Sequence, residues 1–179
     1  MKDLGTLGGD QAFAVGINNT DKVVGHSYIS GNGAIHAFLY SGGKMRDLGT
    51  LGGLSSNATD INEADKVVGS STVSLSDNDN EHAFLYSGGL MRDLGTLGGS
   101  RSGANAINNA DKVVGFSLMS DATAHAFLYS DGVMRDLNSL IPADSGWTLT
   151  SAEAINGNGS IVGSGNNPDG VQHAFLLRP

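Results

Sequence analysis

Four histidines stand at one equivalent place in a repeated word, His-Ala-Phe-Leu, at His36, His82, His125 and His173. Recurring imidazoles suggest two chemistries, a shared metal ion or proton-bearing pairs with nearby carboxylates. A second word, Asp-Leu, follows at Asp47, Asp93 and Asp136 and also opens the chain at Asp3. If Gly42-Gly43 makes a two-residue turn between antiparallel strands, Phe38 pairs with Asp47, and His36 lies diagonally across from Asp47 on the same face. The same spacing predicts His82 with Asp93 and His125 with Asp136, and His173 with Asp3 where the ends of the chain meet. Histidines on strands spread outward from a common centre cannot all come within about 2.1 Å of one ion. They read as structural, and no metal site or cofactor is expected.

The remaining polar clusters carry less. Asp77-Asn78-Asp79-Asn80-Glu81 alternates oxygen donors as a calcium loop does, but it lacks the Gly and the distant bidentate Glu of the twelve-residue pattern. A solvated loop is expected there. Gly49-Thr50-Leu51-Gly52-Gly53 has no Lys-Ser/Thr pair behind it and so is no phosphate loop. Asp60 and Glu153 are the carboxylates expected nearest a central channel, and a carbohydrate-active hydrolase using such a pair is the alternative functional reading. Neither is repeated in the other copies, no Ser-His-acid set assembles, and the chain is not expected to be an enzyme.

The elements that would position these groups are written four times in 179 residues. Asp-Leu-Gly-Thr-Leu-Gly-Gly (Asp3, Asp47, Asp93, changing to Asp-Leu-Asn-Ser-Leu at Asp136), Ala-x-x-Ile-Asn (Ala14, Ala58, Ala104, Ala152) and Lys-Val-Val-Gly (Lys22, Lys66, Lys112, then Ser160-Ile-Val-Gly) accompany the histidine word. Such a period marks one supersecondary unit per copy. In the second copy Ser56 to Ile61, Lys66 to Thr72, His82 to Ser87 and Leu90 to Thr96 read as four short strands. Asp21, Asp65, Asp111 and Gly159 close the first hairpin, and Gly42-Gly43, Gly88-Gly89 or Asp131-Gly132 the last. No sustained 3.6-residue apolar period calls for a long helix.

Ala37-Phe38-Leu39-Tyr40 is apolar on both strand faces, which requires neighbours on both sides of the sheet. The expected fold is a single all-β domain over 1–179, a β-propeller of four four-stranded antiparallel blades. Small residues place the inner strands near 12–17, 56–61, 102–107 and 150–155. Because Met1-Lys2-Asp3-Leu4 matches Met45-Arg46-Asp47-Leu48, the N-terminal strand is expected to complete the last blade and close the ring. A closed monomer is the expected state, with a two-chain ring of eight blades as the alternative. A flat solenoid is the other architecture considered.

The formal net charge of −8 disfavours nucleic acid and anionic membrane surfaces as partners. No apolar run is long enough to span a membrane, and no apolar segment of a signal peptide precedes the first repeat. With no cysteine, disulfides contribute nothing.

Taken together, His-Ala-Phe-Leu, Asp-Leu-Gly-Thr-Leu-Gly-Gly, Ala-x-x-Ile-Asn and Val-Val-Gly resemble the HAF-repeat family of bacterial proteins over essentially the whole chain. The last copy, with Leu137 to Pro142 and Ser145-Gly146-Trp147, is similar to the way such arrays end. The resemblance implies an extracellular or periplasmic protein of unassigned function and carries over no catalytic residue. Asp21, Asp65 and Asp111 depart from it, standing where the family usually has Gly.

Variation between copies points to a binding face. The segments Tyr28 to Ile35, Val73 to Glu81, Leu118 to Ala124 and Gly165 to Gln172 differ while the opposite turns barely change. They share an end with the insertion that carries the only Trp. Tyr28, Asp77, Asp79, Glu81, Trp147 and Asp169 are the candidate ligand-binding residues, for a protein or glycan partner. A purely structural repeat, whose loops bind nothing, would show the same drift.

Overall fold

Each repeat folds back on itself where its turn residues take up left-handed backbone. Asp21, Asp65, Asp111 and Gly159 lie at φ 58°, 62°, 61° and 83°, and Gly42-Gly43 at 58° and 83°, conformations that Asp tolerates and Gly adopts freely. The computed structural model describes residues 1–76 and 79–179, which form an all-β chain of four antiparallel sheets in chain order. The first sheet is β1 (Gly8–Ile17), β2 (Val23–Ile29), β3 (Ile35–Ser41) and β4 (Lys44–Asp47). The second is β5 (Ser56–Ile61), β6 (Val67–Thr72), β7 (Glu81–Ser87) and β8 (Leu90–Asp93). The third is β9 (Ser102–Ile107), β10 (Val113–Leu118), β11 (Ala124–Ser130) and β12 (Val133–Asp136). The fourth has β13 (Thr148–Ile155), β14 (Ile161–Asn166) and β15 (Gln172–Leu177), preceded by two short 3-10 turns at Leu137–Leu140 and Ala143–Ser145. No helix among the described residues is long and apolar enough to cross a membrane.

The apolar cores lie between sheets. Val24, Ala37 and Leu48 of the first repeat pack against Ala58, Ile61, Val67, Phe84 and Tyr86 of the second. Val68, Ala83 and Leu94 meet Ala104, Ile107, Val113, Phe127 and Tyr129 in the same way, and Val114, Ala126 and Leu137 meet Leu149, Ala152 and Ile161. The two-sided apolar strand His-Ala-Phe-Leu-Tyr thus gives its Ala to the following sheet and its Phe to the preceding one, as residue alternation along a strand dictates.

Close approach within each sheet is set by the Gly of Val-Val-Gly. Gly25, Gly69, Gly115 and Gly163 sit opposite Ala14, Ala58, Ala104 and Ala152. Beside each pair the first strand carries one extra residue, a β-bulge that re-aims the side chain it displaces. In the second and third repeats the bulged residue reaches the next sheet: Thr59 Oγ1 donates to Ala104 O at 2.8 Å, and Asn105 Nδ2 to Ala152 O at 2.9 Å.

Three expectations change. The fourth strand ends at Asp93, short of Thr96, because the Asp93 carboxylate accepts the Gly95 amide at 2.7 Å and Gly95 turns to φ 76°. The first inner strand is longer than expected, starting at Gly8. The last sheet has three strands, and Met1–Leu7 does not complete it. Instead the N-terminal segment lies over the first sheet, with Lys2 Nζ 5.2 Å from the Tyr40 ring centre and Leu4 half-buried beside Ala14, Phe38 and Met45. The reason is the placing of the sheets: β1 lies against β2 and β5, and β13 against the third sheet, so β15 is not brought beside Met1–Leu4. Leu48 and Leu94 each pack onto the sheet that follows them in sequence, and Leu4 does the same onto the first sheet.

Candidate functional site

One end of the molecule is clamped by a ladder built from the turn residues themselves. Asn18 Nδ2 donates to Asn62 O at 3.2 Å, Asn62 Nδ2 to Asn108 O at 3.1 Å, and Asn108 Nδ2 to Asn156 O at 3.0 Å. Each Asn also holds its own turn. Asn62 Oδ1 accepts the amides of Ala64 and Lys66, both at 3.0 Å. Ion pairs run alongside, from Lys22 to Asp65 and from Lys66 to Asp111, the latter at 2.6 Å. The signal was present in Ala-x-x-Ile-Asn and in the Asp before Lys-Val-Val-Gly, since polar residues repeated at a turn are bonding to something repeated.

The four recurring histidines lie on the third strand of each sheet. His36 Nδ1 is 2.8 Å from Asp47 Oδ2, His82 Nδ1 2.8 Å from Asp93 Oδ2, and His125 Nδ1 2.7 Å from Asp136 Oδ2. His173 and Asp3 are not brought together. His173 meets the edge of Trp147 with ring centres 6.5 Å apart, and Asp3 Oδ1 accepts the Gly5 amide at 2.9 Å. With the N-terminal segment held on the first sheet, Asp3 has no route to the fourth. Because Asp93 serves both His82 and the Gly95 amide, Asp93→Ala is expected to cost about 1–2 kcal/mol and His82→Ala less, partial exposure weakening both. Urea midpoints of the two variants check the order.

At the opposite end residues 30–34, 73–76 with 79–80, 119–123 and 167–171 stand on near-identical strand pairs. Tyr28 is half-buried at the end of β2, and Asp79 and Asp169 are exposed. Asp77 lies outside the described residues. Glu81 is occupied internally: Ser70 Oγ donates to it at 2.7 Å, and Arg101 reaches it at 3.2 Å from the third repeat, so it ties two sheets together. Trp147 is half-buried and packs against the third core cluster, so it does not stand out as an open platform. It borders a 390 Å³ pocket with Ile141, Pro142, Phe175 and Leu177. Asp121, on the same end, is held below the usual carboxylate range by the Thr123 hydroxyl and amide.

The carboxylates of the hydrolase reading are engaged. Asp60 Oδ1 accepts its neighbour's amide at Ile61 (2.8 Å) and Oδ2 the amide of Ile107 (2.9 Å) across to the third sheet. Burial pushes its carboxyl above the usual range, and these two amides pull it down. Ionised Asp60 is therefore less favoured in the folded chain than in the unfolded one, and its contribution to stability falls as pH rises through the carboxylate range. Glu153 is exposed, accepts from Ser151 Oγ at 2.6 Å, and turns toward Asn105 Nδ2 at 3.4 Å. Among the described residues no group of three or more His, Asp or Glu could hold a metal. No family model, curated protein or solved structure matches the chain.

Proposed function

We propose that the four sheets are blades of a β-propeller-type array of the HAF-repeat kind, working as a non-catalytic binding module outside the cytoplasm. Its ligand, a glycan or a protein, is taken on the end that carries residues 30–34, 73–76, 79–80, 119–123 and 167–171. The propeller reading is supported by the order of contacts: β1, β5, β9 and β13 run side by side, while the fourth strands lie away from this row, as blades converge on a hub.

The observation that carries the binding role is the contrast between the two ends. One is locked by Asn-to-backbone and Lys-to-Asp bonds passed from repeat to repeat. The other displays different sequences on fixed hairpin frames, the arrangement in which loops recognise and a scaffold positions them.

A printed glycan array provides the test. The wild-type chain is compared with a variant in which 167–171 is replaced by the sequence of 119–123, and with Glu63→Ala at the clamped end. Binding lost on loop exchange and kept in Glu63→Ala is the expected result. Binding that survives the exchange and vanishes in Glu63→Ala would place the site at the wrong end.

A further inference from the structure

The fourth sheet presents, uncovered, the surface with which the other three hold a neighbour. Val24, Val68 and Val114 are 0 % exposed beneath the sheet that follows them, while Val162, at the same place on β14, is 43 % exposed. Ala37, Ala83 and Ala126 are buried in the same interfaces, and their counterpart Ala174 is exposed. The first sheet offers the complementary half. Ile61 and Ile107 are 5 % and 6 % exposed beneath the preceding sheet, and Ile17 is 64 % exposed. The Asn ladder also stops short: Asn156 Oδ1 holds its turn, and its Nδ2 donates to no described residue.

Among the described residues no strand pairs with the outer edge of β15, and such an edge is a template for another strand. Met1–Leu4 matches Met45–Leu48 and Met91–Leu94, which pair on β3 and β7 and then send Leu48 and Leu94 into the next core. In that register Asp3 falls opposite Phe175 and Lys2 opposite Leu176. Met91 and Met134 pack on the first two core clusters, and the third has the 390 Å³ pocket beside Phe175 and Leu177 at the corresponding place. Leu4 already lies on its own first sheet as Leu48 lies on the second, so the segment can serve both roles at once.

We propose that a second copy of this chain docks head to tail on the fourth sheet, its first sheet covering Val162, Ala174 and Leu176 and its Met1–Leu4 pairing on the outer edge of β15. His173 then meets the second copy's Asp3. The junction has fewer polar ties than the internal ones, with Ser160 where Lys22 and Lys66 stand, Ala12 in place of the Ser56 and Ser102 hydroxyls, and Glu153 turned back to Ser151. Association is therefore concentration-dependent.

Light scattering over a range of concentrations is expected to show a species of twice 18.3 kDa, or a higher multiple, at the top of the range. Val162→Lys should return it to the single-chain mass with an unchanged thermal midpoint, since that side chain touches no internal core. In this cysteine-free chain, mixing Lys2→Cys copies with Leu176→Cys copies under oxidation should give a disulfide-linked dimer, whereas Lys2→Cys with Asp169→Cys should not. A mass of 18.3 kDa at every concentration, or equal cross-linking in both mixtures, overturns the proposal.

Discussion

Gly69→Ala is expected to cost about 3 kcal/mol or more and to lower the thermal midpoint by roughly 6–12 °C. A Cβ at Gly69 would be driven into the Asn57 carbonyl oxygen and would lie 2.9 Å from Ala58 Cα, both backbone atoms of the paired strand. No side chain can swing aside to relieve this, so β5 and β6 must separate at the point where they are joined by the bulge. That bulge sends Thr59 and Asp60 to the third sheet, and the damage spreads to their bonds with Ala104 and Ile107. A turn glycine is the control. Gly88→Asn, at φ 61° with open space around its missing Cβ, should change stability by a few tenths of a kcal/mol, because Asn tolerates this conformation. Thermal unfolding followed by circular dichroism measures both. Equal losses for the two would show that backbone freedom, rather than strand proximity, is what Gly69 supplies.

Asn62→Ala is expected to lose about 2–4 kcal/mol, the largest effect of any polar substitution at the clamped end. The residue is 3 % exposed, and its side chain holds the amides of Ala64 and Lys66 and donates to Asn108 O and Asp111 Oδ1. Removing it leaves the amides of Ala64 and Lys66 without their acceptor, at about 1–3 kcal/mol for each such group, and cuts the tie to the next repeat, although Asn108 O keeps the amide of Asp111. Asn62→Asp should be nearly as damaging, since a carboxylate still accepts from the turn but cannot donate across and faces Asp111. Glu63→Ala next door, which removes a surface contact to Asn19, should cost a few tenths. Urea midpoints that rank Glu63→Ala with Asn62→Ala would contradict the ladder.

Much of the local structure was legible because it is dictated by short-range chemistry. Asp or Gly at each φ-positive turn, paired glycines at the outer hairpin, and the diagonal spacing of His36 to Asp47 all follow from two-residue and eleven-residue relations within one repeat. The bulge was not legible. It inserts a residue into a strand whose small side chains show no alternation to be broken, so its trace, the re-aimed Thr59 and Asn105, appears only once the next sheet is in place. Closure failed for a related reason. The word can pack on the sheet that follows it and pair on another edge at once, so what it does not carry is the angle between successive sheets, and that angle leaves β1 against β2 and β5 while β13 lies against the third sheet. On the loop end, Glu81 looked like a ligand donor because its partners Ser70 and Arg101 lie eleven and twenty residues away in unrelated words.

The location of the three core clusters has a consequence for how the chain folds. Each cluster is built from one face of a repeat and the opposite face of the next, so no repeat possesses a core of its own. An isolated sheet would have to order its backbone without apolar burial to offset the entropy, and it cannot stand alone. Folding must therefore start as an adjacent pair and grow outward by single steps, and opening begins at the flanks, where one face of a repeat is already bare.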